Sequence, residues 1–390
     1  MARNPLPLLL LLLVLWAAPG RADSWLPPEA ETYISPDQTW RVRIDPRRIS
    51  SPLAYFSDKV KGREPAGAPA EHEGKRAKAM VEHRDGTGKW SLAWSGELTN
   101  EVAPVEVLIA DGGTYLVTFD NWHSVGYGLD VVAIYDGQGQ LIRALALGDI
   151  LSADYIEALP HSTSSIAWRG DPRLTSHGEL VIPIRVPGKQ DDAQNAIYVE
   201  ARVRLLDGVV LSGSSPQWQE AEASAQSVAR EKRARAEKAR QAFIAPLLGP
   251  EENTERSWHL YLREAFYRSS SDWMRDSTST TVLRDPSADN YAASEGWLRD
   301  ALLSVDYTHG TMSFASVAPF DFFVSRVDAI LAEARPGELK GSHVYIAAPS
   351  SALPLLQDMF ARSGATVAVF DPDVPIPQRP ERLKRYLPNH

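Results

Sequence analysis

"VEVLIADGGTYLVTFDNWHSVGYGLDVVAIYDGQGQLIRALAL", residues 105–147, is the stretch on which the fold turns. Four runs rich in β-branched and aromatic residues read as strands. "VEVLI" and "TYLVTF" flank "ADGG", and "DVVAIY" and "QLIRALAL" flank "DGQG". A longer corner separates the second run from the third. The expected unit is one four-stranded antiparallel sheet. Asp-Gly recurs at 85, 111, 136 and 207, each time where a hairpin must reverse, because glycine reaches positive φ without steric cost.

The same pattern extends outward. "TWRVRI" (39–44), "AKAMVEH" and "WSLAW" around "RDGTGK" precede the unit. "ELVIPIRV", "AIYVEARVRLL" and "VVLSG" follow it. At 43 residues with four strands, 105–147 resembles a WD40-like β-propeller blade. That resemblance makes "VAIYDGQGQLIRAL" the outer hairpin and Asp130 a turn-stabilising residue before the third strand. Degenerate copies are expected over 32–97 and 163–212. Three copies are too few to close a ring of 4–8 blades, so stacked antiparallel sheets or a sandwich explain the strands nearly as well. Residues 58–76 are polar, charged and rich in Gly, Ala and Pro; they read as an exposed loop inserted in the first copy.

Composition changes near 216. "PQWQEAEASAQSVAREKRARAEKARQAFIAPLL" has no glycine and no proline between 216 and 246, which predicts a long helix starting at Pro216. Trp218, Ala221, Ala225 and Val228 form an apolar stripe that Lys232 and Arg235 interrupt. A second helix is expected from Thr254 to about Tyr267, then a polar connector, "SSSDWMRDSTSTT". Strand and helix alternate thereafter: "GTMSFASV", "FDFFVSRVDAILAEA", "SHVYIAA", "SALPLLQDMFARSG", "ATVAVFD". That order predicts a small parallel sheet. The expected multi-domain organisation is a leader over 1–22, a β-rich domain over 23–212, a helical segment over 213–289, an α/β domain over 290–375 and an extended tail over 376–390.

The leader, "MARNPLPLLLLLLVLWAAPGRADSW", has Arg3, an apolar core from Leu8 to Trp16, and Gly20 and Ala22 ahead of Asp23. This is the layout of a secretory signal peptide, and the core is too short for a spanning helix. No later segment is apolar for long enough to span a bilayer. The chain has no cysteine, which excludes disulfides, thiolate metal sites and a lipid-bearing cysteine, and suits a bacterial periplasm or exterior. Net charge is −9, and more negative without the arginines of the leader. Such a chain is a poor binder of nucleic acid or anionic membrane.

No GxSxG, GxxxxGK[ST], HExxH, EF-hand or GxGxxG spacing is present. The best cluster is Asp120-Asn121-Trp122-His123, open to two readings. In one, Asp120 orients His123 as a general base and Trp122 stacks on a flat ligand. In the other, Asp and Asn bond to backbone at a turn and Trp fills the space between sheets. Glu71-His72-Glu73 offers metal-ligand atoms, but extended neighbours alternate in direction, so a solvated loop is expected and no metal or cofactor. His161 and His309 are isolated. "AREKRARAEKAR" (229–240) is a solvated basic face or a dock for an acidic partner. "APSSALP" places Ser350 and Ser351 at a helix start on the carboxyl edge of the predicted sheet, a candidate anion site or a simple cap; "DPD" at 371–373 is similarly ambiguous. The first expectation is an exported, non-catalytic binding or scaffold protein with a protein or carbohydrate partner. The alternative is a periplasmic hydrolase or carbohydrate-active enzyme using Asp120 and His123.

Overall fold

Residues 105–147 do form one four-stranded antiparallel sheet, and it has a neighbour of the same design on either side in sequence. The computed structural model describes residues 26–69, 75–188, 195–211, 213, 215–271, 273–303 and 310–387. The chain divides into two units, 1–234 and 235–390.

The first unit carries three meanders. β1 (Glu31–Ile34), β2 (Trp40–Asp45), β3 (Lys78–Arg84) and β4 (Trp90–Glu97) form the first, with α1 (Pro52–Val60) between β2 and β3. β5 (Glu106–Ile109), β6 (Tyr115–Phe119), β7 (Val132–Asp136) and β8 (Leu141–Leu145) form the second. Two short helices follow, α2 (Leu147–Ile150) and α3 (Ala153–Ala158). The third sheet is β9 (Arg173–Leu174), β10 (Glu179–Arg185), β11 (Tyr198–Arg204) and β12 (Val209–Val210). α4 (Pro216–Ile244) then starts in this unit.

The second sheet is the middle layer, which is why β6 and β7 read as apolar runs rather than alternating ones. Leu116, Ala133 and Tyr135 pack with Val42, Ile44 and Val81 of the first sheet. Val117, Phe119, Val132 and Ile134 join a separate core with Leu180, Ile182, Ala201 and Val203 of the third sheet and Trp218, Ala221 and Ala225 of α4. The sheets do not close into a propeller. β11 alternates strictly between exposed and buried residues, and its outward Glu200 and Arg202 form ion pairs with Arg173 and Glu179. A fourth blade would have to bury that charged face. Stacked sheets are therefore the realised alternative.

The Asp-Gly turns use two chemistries. At 111 and 207 the adjacent Gly112 and Gly208 take positive φ, as expected. At 85 and 136 it is the later glycine, Gly88 or Gly139, that does so. There the aspartate holds the turn instead: Asp136 Oδ1 accepts from the amides of Gln138 and Gln140 at 2.9 and 2.8 Å.

In the second unit, Thr254 caps α5 (Glu255–Ser269), its hydroxyl accepting from the Ser257 amide at 3.3 Å. β13 (Thr278–Leu283), α6 (Tyr291–Leu303), β14 (Thr311–Ser316), α7 (Phe320–Leu331), β15 (His343–Ala347), α8 (Leu353–Ala361) and β16 (Thr366–Phe370) follow. The four strands are parallel and in sequence order. Leu283, Phe314 and Ile346 face Leu302, Phe323 and Leu356 from α6, α7 and α8. Val282, Ala315 and Phe370 face Leu262, Ala265 and Phe266 of α5 on the other side.

Two expectations are corrected here. "TSTT" of the supposed connector is the start of β13, paired in parallel with Thr311–Phe314; its threonines hid a strand whose lower half is polar. The tail is not simply extended: α9 (Pro380–Tyr386) forms, and its Arg382 is 8% exposed. That guanidinium reaches Glu264 at 2.8 Å and lies over the Phe243 ring at 5.0 Å. A charge paired and stacked in this way can be buried at tolerable cost. The leader lies outside the described residues.

Candidate functional site

The corner between β6 and β7 lines a cleft of about 780 Å³ in the first unit. Asn121, Trp122, His123, Tyr127, Leu129 and Asp130 come from the corner, and Tyr55, Lys59 and Glu101 face them. The backbone at the corner is unusual. Asp120 and His123 both have positive φ, 55° and 63°, a conformation uncommon outside glycine. Ser124 N donates to Asn121 O at 2.8 Å and closes the turn between them.

Asp120 is fully buried. Its carboxylate accepts from Gly126 N at 2.8 Å, Trp168 Nε1 at 3.1 Å and Arg169 Nη2 at 3.1 Å. Burial pushes its carboxyl above the ordinary range, and Arg169 and the two other donors work against that push. Among the described residues no hydrogen bond joins Asp120 to His123, so the carboxylate orients Arg169 and Trp168 instead. Asn121 is structural in the same sense. Its Nδ2 donates to Asp130 Oδ1 at 2.8 Å, and its Oδ1 accepts from Asn100 Nδ2 at 3.1 Å. Asp130 thus ties the start of β7 to the corner.

Trp122 is 5% exposed. Its Nε1 donates to Leu26 O at 2.8 Å, and its ring meets Tyr55 edge-on at 5.4 Å. An indole so enclosed is a filler of the cluster with Tyr55 and Val102, not an open stacking platform. His123 packs against Tyr55 at 4.5 Å and Phe56 at 5.2 Å. Burial pushes its imidazole below the usual 6.5, against the pull of Glu101.

The sequence reading missed the opposite wall. Glu101 accepts from Tyr55 Oη at 3.0 Å and pairs with Lys59 at 2.8 Å and Arg47 at 3.3 Å. The Arg47 side chain is wholly buried. Lys59 also pairs with Glu64 at 2.7 Å. Tyr55 and Lys59 sit on α1, just before and inside the stretch read as an inserted loop. Ser51, whose Oγ accepts from Ala54 N, followed by Pro52 at the first helical position, is the local signal that marks this helix.

The other candidates lie elsewhere. In the second unit Ser350 donates from its amide and hydroxyl to Asp371 Oδ2 at 2.6 and 2.7 Å. The chain's own carboxylate occupies the place where an external anion was envisaged, and Ser351 is exposed beside it. His161 is hydrogen-bonded, Nε2 to Ile156 O at 2.8 Å. In the basic run, Lys232 Nζ donates to the carbonyls of Glu157, Ala158 and Leu159 at 3.0, 3.0 and 2.9 Å, capping the end of α3, and Arg233 pairs with Glu157 at 2.6 Å. Glu71-His72-Glu73 and His309 lie outside the described residues. Among the described residues no group of three His, Asp or Glu is placed to hold a metal ion, and no helix is long and apolar enough to cross a membrane. The chain matches no protein-family model and no curated protein.

Proposed function

We propose that the first unit is a non-catalytic binding module, exported by its leader, whose ligand enters the cleft beside the β6–β7 corner. The observation that carries this reading is the pairing of the cleft's acids. Glu101 bonds to Arg47 and Lys59, Glu64 to Lys59 and Asp130 to Asn121, and behind the wall the fully buried Asp120 bonds to Arg169. His123 has aromatic neighbours, and among the described residues no hydrogen bond or ion pair joins it to a carboxylate. Acid–base chemistry requires a group free to exchange protons with a substrate. Binding requires a concave, largely pre-formed wall of aromatic and polar groups. Three basic and three acidic residues line this wall, so its charge is internally balanced and it favours a neutral polar ligand. Carbohydrate is the class that matches the half-buried rings of His123 and Tyr127 beside hydrogen-bonding side chains.

The test is thermal stability of the mature protein with neutral oligosaccharides, namely malto-, cello- and chito-oligomers. At about 100-fold over Kd a ligand stabilises the native state by about 2.7 kcal/mol. A rise in Tm with one series, abolished in His123→Ala and Tyr127→Ala while apo stability holds, supports the reading. No rise with any series, or one that both variants retain, refutes it.

A further inference from the structure

We infer that the outer face of α5, in the second unit, binds an anion that carries an apolar body, of the class of a single-chain carboxylate. Arg256, His259, Leu260 and Arg263 follow one another at i, i+3, i+4 and i+7, so they form one stripe along the helix. Tyr261, Leu262, Ala265 and Phe266 hold the opposite face against the sheet. The stripe separates two hollows. One, of about 560 Å³, has Glu255, Arg256, His259 and Thr280 in its wall. The other, of about 510 Å³, has Leu247, Tyr261 and Tyr267. Leu260 and Arg263 line both.

Charge decides what belongs there. Glu255, the acid at the first hollow, is gripped by Arg284 at 2.8 and 3.1 Å. Glu264, the acid at the second, pairs with Arg268 and Arg382, each at 2.8 Å. Among the described residues no carboxylate lies within ion-pair reach of Arg256 or Arg263. Two exposed guanidiniums without counter-charge flank a leucine that is 56% exposed, on a chain whose net charge is −9. Guanidinium recognises carboxylate through paired donors, and Leu260 with the tyrosine-walled hollow offers apolar cover to whatever is attached. His259 is fixed by a 2.8 Å hydrogen bond between Nδ1 and Thr280 Oγ1, which makes its ring a reporter for the first hollow.

The experiment is calorimetric titration of the full mature chain with octanoate, inorganic phosphate and octyl glucoside, with the His259 imidazole resonances followed by NMR. Octanoate is expected to saturate and to move the His259 resonances. Arg256→Gln/Arg263→Gln, two exposed changes checked for an unaltered melting curve, is expected to weaken it at least about tenfold, the loss of one charge-assisted hydrogen bond being worth about that much. Phosphate and octyl glucoside are each expected to bind at least about tenfold more weakly than octanoate. Octanoate that never saturates, or that binds the double variant equally well, overturns the site. Octyl glucoside binding as tightly overturns its anion selectivity, and phosphate binding as tightly overturns the apolar half.

Discussion

Replacing Asp120 with alanine removes the acceptor at the centre of the β6–β7 corner. Four donor atoms lose their partner: Gly126 N, Trp168 Nε1 and the Nε and Nη2 of Arg169. Each buried donor left without an acceptor costs about 1–3 kcal/mol, and breaking a buried ion pair costs about 3–5 kcal/mol. These do not add, because Arg169 is 11% exposed, keeps Glu106 at 2.6 Å and still lies over the Phe119 ring at 4.6 Å. The working figure is therefore about 3–5 kcal/mol for Asp120→Ala. Asp120→Asn retains one carbonyl oxygen for the neutral donors and tolerates the positive φ, so about 1–3 kcal/mol is expected. The assay is urea unfolding of the full chain followed by circular dichroism, with Arg169→Met and the double variant completing a cycle. A coupling of about 2 kcal/mol or more between the two positions is expected. A loss below about 1 kcal/mol for Asp120→Ala refutes the structural role, because no orphaned buried ion pair is that cheap. An unchanged stability together with a shifted His123 titration would restore the pairing of Asp120 with His123.

Two further predictions concern the packing of each unit. Gly126 has φ 78°, and a Cβ there would lie 2.9 Å from Ile166 Cβ; Gly126→Ala is expected to cost about 2–4 kcal/mol, whereas Gly62→Ala, at φ 65° with nothing within 4 Å, carries the backbone penalty alone and costs less by urea unfolding. In the second unit, desolvation of half-buried Glu264 opposes ionisation, but Arg382 and Arg268 outweigh it and hold the carboxyl below its ordinary 4.5. The folded state thus binds the proton less readily than the unfolded chain. The stability gained is present above about pH 4.5 and is lost as pH falls through the lower folded value. Glu264→Gln is expected to destabilise by about 1–3 kcal/mol at pH 7 and to approach wild type near pH 3, read from pH-dependent unfolding; a gap that is constant with pH refutes the ionic role.

The strands of the first unit were legible because turn chemistry is local. An aspartate that accepts from amides two and four residues on marks a hairpin whatever surrounds it, as at Asp136. How many sheets stack, and whether they close, was not legible from turns. It depends on which faces are apolar, and the information was in β11, "YVEARVR", whose polar alternation announces an outermost face. β13 escaped for the converse reason. "TSTT" has β-branched residues but no apolar ones until Val282, and its hydroxyls bond to the neighbouring strand and to α5: Thr278 Oγ1 lies 2.7 Å from Ser313 Oγ, and Thr280 Oγ1 2.8 Å from His259 Nδ1. A polar half-strand in a parallel sheet looks like a linker until its partner is known.

The corner was legible as a cluster with two readings, but the partners of its residues were not, and the reason is geometric. The Asp120 carboxylate turns to Gly126, Trp168 and Arg169, while the His123 ring turns to Tyr55 and Phe56. Their partners come from residues 48 and 49 positions on, Trp168 and Arg169, or from 68 positions back, Tyr55. No spacing rule reaches across such separations. What a single chain does reveal is demand: Asp, Asn, Trp and His each require a partner when buried. Four such residues in succession after an apolar run therefore fix that several distant segments must converge there. That convergence ties the acids of the wall to partners, and on the reading proposed above such a wall holds a ligand rather than exchanging protons with it. That is why a small ligand-dependent rise in Tm that His123→Ala removes would carry more weight here than any assay of turnover.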